Sequence, residues 1–334
     1  TQSYTRTKAQ NHEEFYASME LQTNSSNNTV YADSGGNIAY YHGNFIPVRD
    51  TSFDWNNPLD GNDPATEWQG LHTVDEMIHL LNPPNGWIQN TNNWPFTAAG
   101  DYSPRAEDYP PYMANNSENP RGVHAVRVLQ ETSDFTIDKL IAAAYDPTLT
   151  AFEDLIPKLL LTTTADDQSD QQISTQSDTL SYINLLRNWD YKSSLDSTAT
   201  TLAVYWGQAL MIEVSNDAAA AGINIYDYMA NNTSSAEKIR ALRSAAQQLE
   251  VDFGDWRVPW GEVNRYQRLN GDIVQDFNDE AKSLPVAFTS SRWGSLASFG
   301  SKTYPGTKKM YGTSGNSFVA AVEFGDKLTA KAIT

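Results

Sequence analysis

Apolar positions in this chain fall at helical spacing in its middle and at alternating, strand-like spacing near both ends. Asn11-His12-Glu13-Glu14 reads as an N-cap with Glu at the third helical position, opening an apolar-periodic run through Met19 and Leu21. Two β-rich runs, 29–32 and 38–41, flank Asp33-Ser34-Gly35-Gly36-Asn37 and predict a hairpin with a Gly-containing loop. Thr73-Val74-Asp75-Glu76 has capping-box spacing and predicts a short helix to about Leu81. Residues 95–120 are rich in Pro, Asn and Tyr and read as irregular loop. From Arg121 the pattern turns helical, with Val123, Val126 and Leu129 on one face. Further helices are predicted over 135–145, 149–161, 178–189, 196–212 and 235–250. Residues 252–271 are aromatic and punctuated by Gly and Pro, with Trp256 and Trp260 near Arg257. Residues 317–324 and 328–333, joined across Gly325-Asp326, predict a closing hairpin. No internal repeat is visible. Strands first and last with helices between make the expected fold class α+β. The expected division is 1–120 (sheet and loops), 121–282 (helical) and 283–334 (strands returning to the sheet).

Composition narrows the function. With 334 residues, 40% of them hydrophobic, the chain can build one large core or two ordinary ones. The formal net charge of −18 argues against nucleic acid and anionic membrane surfaces as partners. No apolar stretch approaches the roughly 18 residues that a spanning helix needs. There is no Cys, which excludes disulfides, thiolate metal sites and cysteine nucleophiles. An acidic, lysine-poor, cysteine-free chain fits a periplasmic or secreted protein. The opening Thr1-Gln2-Ser3-Tyr4 has no apolar core of a signal peptide.

Motif searches are mostly negative. There is no His-Glu-x-x-His, no phosphate-binding loop, no dinucleotide fingerprint and no Gly-x-Ser-x-Gly elbow. His72 and His79 would share a helix face near Asp75 and Glu76, where a solvated, capped helix is the plainer reading than a metal site. Asp166, Asp167 and Asp170 read as a solvated loop, with calcium binding as the functional alternative. The most unusual segment is 86–96, Gly-Trp-Ile-Gln-Asn-Thr-Asn-Asn-Trp-Pro-Phe. Its asparagines serve either Asx turns or, for one of them, donation of a neutral amide to a developing oxyanion. The many aromatics, nine Trp among them, leave open a non-catalytic carbohydrate- or ligand-binding module.

Several motifs together resemble the β chain of the penicillin acylase family. They are Thr7-Lys8-Ala9-Gln10-Asn11, Tyr31-Ala32-Asp33, Gly36-Asn37-Ile38, Tyr40, His42, Gly43, Pro47 and Arg49. Gly86 to Pro95 resembles that family's loop carrying an oxyanion Asn, and Asn119, Arg121, Arg127 and Leu129 resemble the helix that follows it. Trp189-Asp190, Asp196 to Ala199, Trp206, Trp256 to Gly261 and Gly315 to Phe324 continue the match. The likeness is greater to acyl-homoserine lactone, aculeacin and cephalosporin acylases than to penicillin G acylase.

The resemblance implies an N-terminal nucleophile hydrolase with an αββα sandwich, here partial, carrying a helical insertion. It implies cleavage of an N-acyl amide by the freed N-terminal Ser of a self-cut precursor, whose own α-amine is the base. By motif, the oxyanion Asn falls on Asn92, the helix Arg on Arg121 and a strand carboxylate on Glu323. Arg121 either serves the site or only braces the loop. His42 reads as a strand-packing residue, because this chemistry needs no His. Thr1 aligns with the interior of the family's β chain, so this chain is expected to lack the nucleophile and to work with other chains of the same precursor. Thr1 as nucleophile is the minor alternative. No catalytic cofactor is implied. A structural calcium ion is, with Asp101 near one ligand position.

Overall fold

The computed structural model describes residues 1–24, 27–43, 45–165 and 173–333, so the acidic loop at Asp166, Asp167 and Asp170 lies outside the described residues. The chain forms two compact units, residues 1–140 with 320–333 and residues 141–319. No described helix is long and apolar enough to cross a membrane.

The first unit opens with the short α1 (Gln2–Thr5) and then α2 (His12–Met19). Asn11 caps α2 as its sequence predicts, its side chain accepting from Glu14 N at 2.9 Å. Gln2 is fully buried and pins the N-terminal segment, its Oε1 accepting from Thr23 N at 2.9 Å and Asn24 N at 3.1 Å. Strands β1 (Thr29–Ala32) and β2 (Ile38–Tyr41) pair antiparallel in the register Thr29↔Tyr41. Their turn is organised by Asp33. Its carboxylate accepts from Tyr31 Oη and from the backbone and side chain of Asn37, which holds its pKa down to about 2. Gly36 sits there at φ +84°, a conformation glycine adopts without strain.

The helix predicted from Thr73 does not form. Thr73 N does donate to Glu76 Oε2 at 2.9 Å, so the capping bond is made. The chain then turns and continues as β3 (His79–Leu81), which pairs with β2 through Tyr41↔His79. One turn of local capping loses to a bend that buries Met77 and Ile78 and leads into a strand that stacks His79 on Tyr41. His72 and His79 therefore share no helix face.

Residues 95–113 run through single 3₁₀ turns, as expected of an irregular segment. Then comes α3 (Pro120–Gln130), capped by Asn119 and with Pro at its first position. Its buried face is Pro120, Gly122, His124 and Ala125, whereas Val123 is exposed. The predicted valine stripe is not the face that α3 buries, because the loop packs on the first turn. Helix α4 (Ile137–Ala144) straddles the division between the units. Strands β8 (Val319–Glu323) and β9 (Thr329–Ile333) form the closing hairpin as predicted.

The second unit holds α5 (Thr150–Ala165), α6 (Ile173–Arg187), α7 (Thr198–Ala221), the short α8 (Ile225–Asp227), α9 (Ser235–Phe253) and the short α10 (Trp260–Val263). It also holds a four-stranded sheet ordered β5-β4-β7-β6, from β4 (Asn264–Tyr266), β5 (Leu284–Pro285), β6 (Phe299–Lys302) and β7 (Met310–Gly315). Helix α7 is apolar nearly all round and is the buried axis of this unit. Trp206, Trp260 and Trp293 are fully buried around it, and Phe152 stacks on Trp293 at 4.9 Å. Trp256 and Trp260 are thus core, with Arg257 lying over the Trp256 ring at 3.9 Å. Helices and strands make the fold α+β.

Candidate active site

The loop between β3 and α3 is closed by its own backbone. Gln89 N donates to Ala98 O at 2.8 Å and Gln89 Nε2 to Thr97 O at 3.1 Å. Inside that closure the asparagines divide their work. Asn90 Oδ1 accepts from Asn92 N at 3.3 Å, and Asn93 Oδ1 accepts from Thr91 N at 3.2 Å. Asn90 thus forms an Asx turn, whereas Asn93 reaches back to the residue two before it. Asn93 is 1% exposed. Asn92 is exposed and has φ +59°, the left-handed region that Asn tolerates better than most residues.

Two residues from the start of α3 hold this loop. Asn119 caps the helix through Gly122 N at 2.9 Å and also donates Nδ2 to Thr91 O at 3.2 Å. Arg121 donates to Thr91 O at 2.6 Å and to Asn92 Oδ1 at 2.8 Å. A guanidinium only donates, so the Asn92 atom facing it must be the carbonyl oxygen. The Asn92 Nδ2 group is then the free end of the side chain, and among the described residues no acceptor engages it. Asn92 is one of the residues that line an open pocket of about 620 Å³.

Glu118 was not singled out in the sequence, yet it is the hub of the loop. Its Oε1 accepts from Asn93 Nδ2 at 2.9 Å and Asn119 N at 2.7 Å, and its Oε2 from Trp94 Nε1 at 3.2 Å and Thr97 Oγ1 at 2.5 Å. The signal available was an acid placed just before an Asn-Pro helix start. Tyr112 is the second such residue. It lines the pocket, with its hydroxyl 2.9 Å from His72 Nε2 and accepting from Arg49 N at 3.2 Å.

His42 follows β2 and also lines the pocket, 3.0 Å from Tyr40 Oη. Burial holds its imidazole below the usual value, partly offset by a backbone hydrogen bond with Met113, so at neutral pH the ring is uncharged. Tyr40 is pushed above the usual tyrosine value by burial.

The other sequence candidates lie elsewhere. Glu323 is exposed on β8 and does not line the Asn92 pocket. Thr1 is exposed at the N-cap of α1, its carbonyl accepting from Tyr4 N and Thr5 N, and it does not line the pocket either. Asp101 is exposed in a 3₁₀ turn, and no cluster of three or more His, Asp or Glu able to hold a metal forms among the described residues.

A buried, braced loop presenting one outward amide can stabilise negative charge on an oxygen without adding a charge of its own. Comparison with known proteins narrows the setting. Over 68 residues, 20% of this chain, it is 37% identical to the penicillin G acylase of Escherichia coli, and that stretch is 8% of the acylase's length. Its fold is shared by a thermostable penicillin G acylase from Alcaligenes faecalis, with a TM-score of 0.53 and 20% identity. That likeness covers 74% of this chain and 50% of the solved one. This chain thus matches half or less of the length of these relatives. The sequence profile described as penicillin amidase matches residues 1–334, and the chain belongs to that family.

Proposed function

We propose that this chain supplies the oxyanion-binding half of an amidohydrolase of the N-terminal nucleophile type. Asn92 Nδ2 donates to the carbonyl oxygen of an N-acyl amide as it becomes tetrahedral. Arg121 positions that amide through its Oδ1. The single observation that carries the reading is the Arg121–Asn92 hydrogen bond of 2.8 Å, which leaves the donor end of Asn92 at the pocket rim.

The nucleophile comes from another segment of a processed precursor, a Ser whose α-amine accepts its proton. Exposure of Thr1 on the α1 cap, away from the pocket lining, favours this over Thr1 as nucleophile. Glu323 is assigned no step, because it is exposed and outside the pocket. His42 is a wall residue held neutral by burial. The location that goes with the composition is periplasmic or secreted, which fractionation of the source cells would test.

Replacing Asn92 by Ala in the processed, active protein is expected to lower kcat about 10²–10³-fold with the fold retained, as for other oxyanion donors. An unchanged kcat would remove Asn92 from the mechanism.

A further inference from the structure

The pocket beside Asn92 is walled by neutral polar groups. Six carboxamides border it, those of Asn27, Asn28, Asn90, Asn92, Asn115 and Asn116. The remaining polar side chains are the His42 imidazole and the Tyr112 hydroxyl. The imidazole is uncharged at neutral pH because burial lowers its proton affinity. No Asp, Glu, Lys or Arg lines the pocket among the described residues. Arg121 is outside the lining and donates from one guanidinium nitrogen to Thr91 O and Asn92 Oδ1.

Such a wall has a definite preference. The carboxamide oxygens of Asn28, Asn90 and Asn92 already accept from Gly43 N, Asn92 N and Arg121, so these three offer a ligand their amide donors, while Asn115 and Asn116, on an exposed stretch, can also accept. An ionised carboxylate entering the same space exchanges its water for dipoles with no countercharge, and burying an unpaired charge is costly. The net charge of −18 adds a repulsive field. Apolar lining is limited to Ile46, Met113 and the Tyr112 ring, which is little for a purely aliphatic chain.

We propose that the part of the substrate next to the scissile carbonyl on this side is an uncharged, hydrogen-bonding group, a hydroxyl or a carboxamide, and that the pocket rejects ionised carboxylates there. This rests on the reading of Asn92 as the oxyanion donor, since Asn92 belongs to the same wall.

The test uses the processed protein and two matched ligand pairs at neutral pH. N-acetylglycinamide and N-acetylglycine differ on the amine side, and N-phenylsuccinamide and N-phenylsuccinamic acid on the acyl side. Binding is read by ligand NMR titration and amide cleavage by initial rates. The neutral member of at least one pair is expected to bind at least about tenfold more tightly. The pair that discriminates says which half of the substrate the pocket holds. Asn116→Lys, on an exposed stretch, should cut that preference to about threefold or less by improving the acid. Asn115→Lys serves as the second variant. Equal binding within both pairs, tighter binding of the acids, or no binding of either neutral ligand overturns the proposal. Cleavage without selectivity sinks the pocket proposal alone. Selective binding with no cleavage of any amide sinks the amidase reading and leaves the pocket preference standing.

Discussion

An asparagine side chain carries an acceptor and a donor on one planar group, and its chemistry depends on which end is tied down. At Asn92 the tie is Arg121, so the oxygen is fixed and the amide is left outward. Its neighbours Asn90 and Asn93 spend their oxygens on the loop's own backbone. The sequence shows three similar residues in a row of turn formers and cannot rank them, because the ranking is made by a guanidinium that is 29 residues away in the chain. The resemblance to acylases singled out Asn92, while the residues alone left both uses open. Glu118 stayed hidden for the same reason: four donors converge on it from three turns of chain. Glu118→Ala removes the acceptor shared by Asn93, Trp94 and Thr97, leaving Asn93 Nδ2 only Thr97 Oγ1 at 3.0 Å, and is expected to lower stability by about 1–3 kcal/mol. Thermal denaturation measures this, and kcat should fall with it as the loop loosens. A melting curve that matches the wild type would mean that Glu118 is not the hub.

Helix starts were the most legible elements. Asn11, Asn119, Ser197 and Ser234 cap helices where their side chains accept from the first-turn N–H groups. The first hairpin was legible because Asp33 and two glycines fix its turn. Thr73 carries the same capping signal, and its backbone N–H donates to Glu76 Oε2, but pairing with β2 decides the next residues, and long-range pairing leaves no mark in a four-residue motif. Helix α7 runs on to Ala221, beyond the expected end near Ile212, because an alanine run continues it to the left-handed Gly222 cap. At the middle of α7, Gly207 lets Trp293 approach. A β-carbon there would lie 2.6 Å from the Trp293 ring. Gly207→Ala is therefore expected to destabilise the second unit by about 1–3 kcal/mol through overpacking, against the usual gain of Ala over Gly in a helix. Denaturant unfolding gives the sign directly, and a more stable variant would show that the Trp293 contact is loose.

At the scale of the molecule, the family match runs through all 334 residues, yet the chain covers only 50% of the solved Alcaligenes faecalis acylase. The two units account for their own cores. The pocket, the braced loop and α3 all lie in the first of them. The reaction as proposed needs a nucleophile from outside the pocket lining, so N-terminal sequencing of an active preparation should show a polypeptide that begins with Ser. Turnover by a preparation with no such terminus would contradict that division of labour. The net charge of −18 argues against nucleic acid and anionic membrane surfaces as partners, but it carried nothing about how the two units form. That came from tryptophans distributed over residues 206–293, whose common burial around α7 is a property of the fold and not of any local pattern.

Arg121, as proposed, acts on the reaction through Asn92. A double-mutant cycle on kcat for amide cleavage separates that role from an independent one. Arg121→Ala alone is expected to lower kcat by about tenfold, through loss of Asn92 orientation. In the Asn92→Ala background the same change should shift kcat by no more than about twofold, because nothing is left to orient. Fully additive losses would contradict the account and give Arg121 a role of its own.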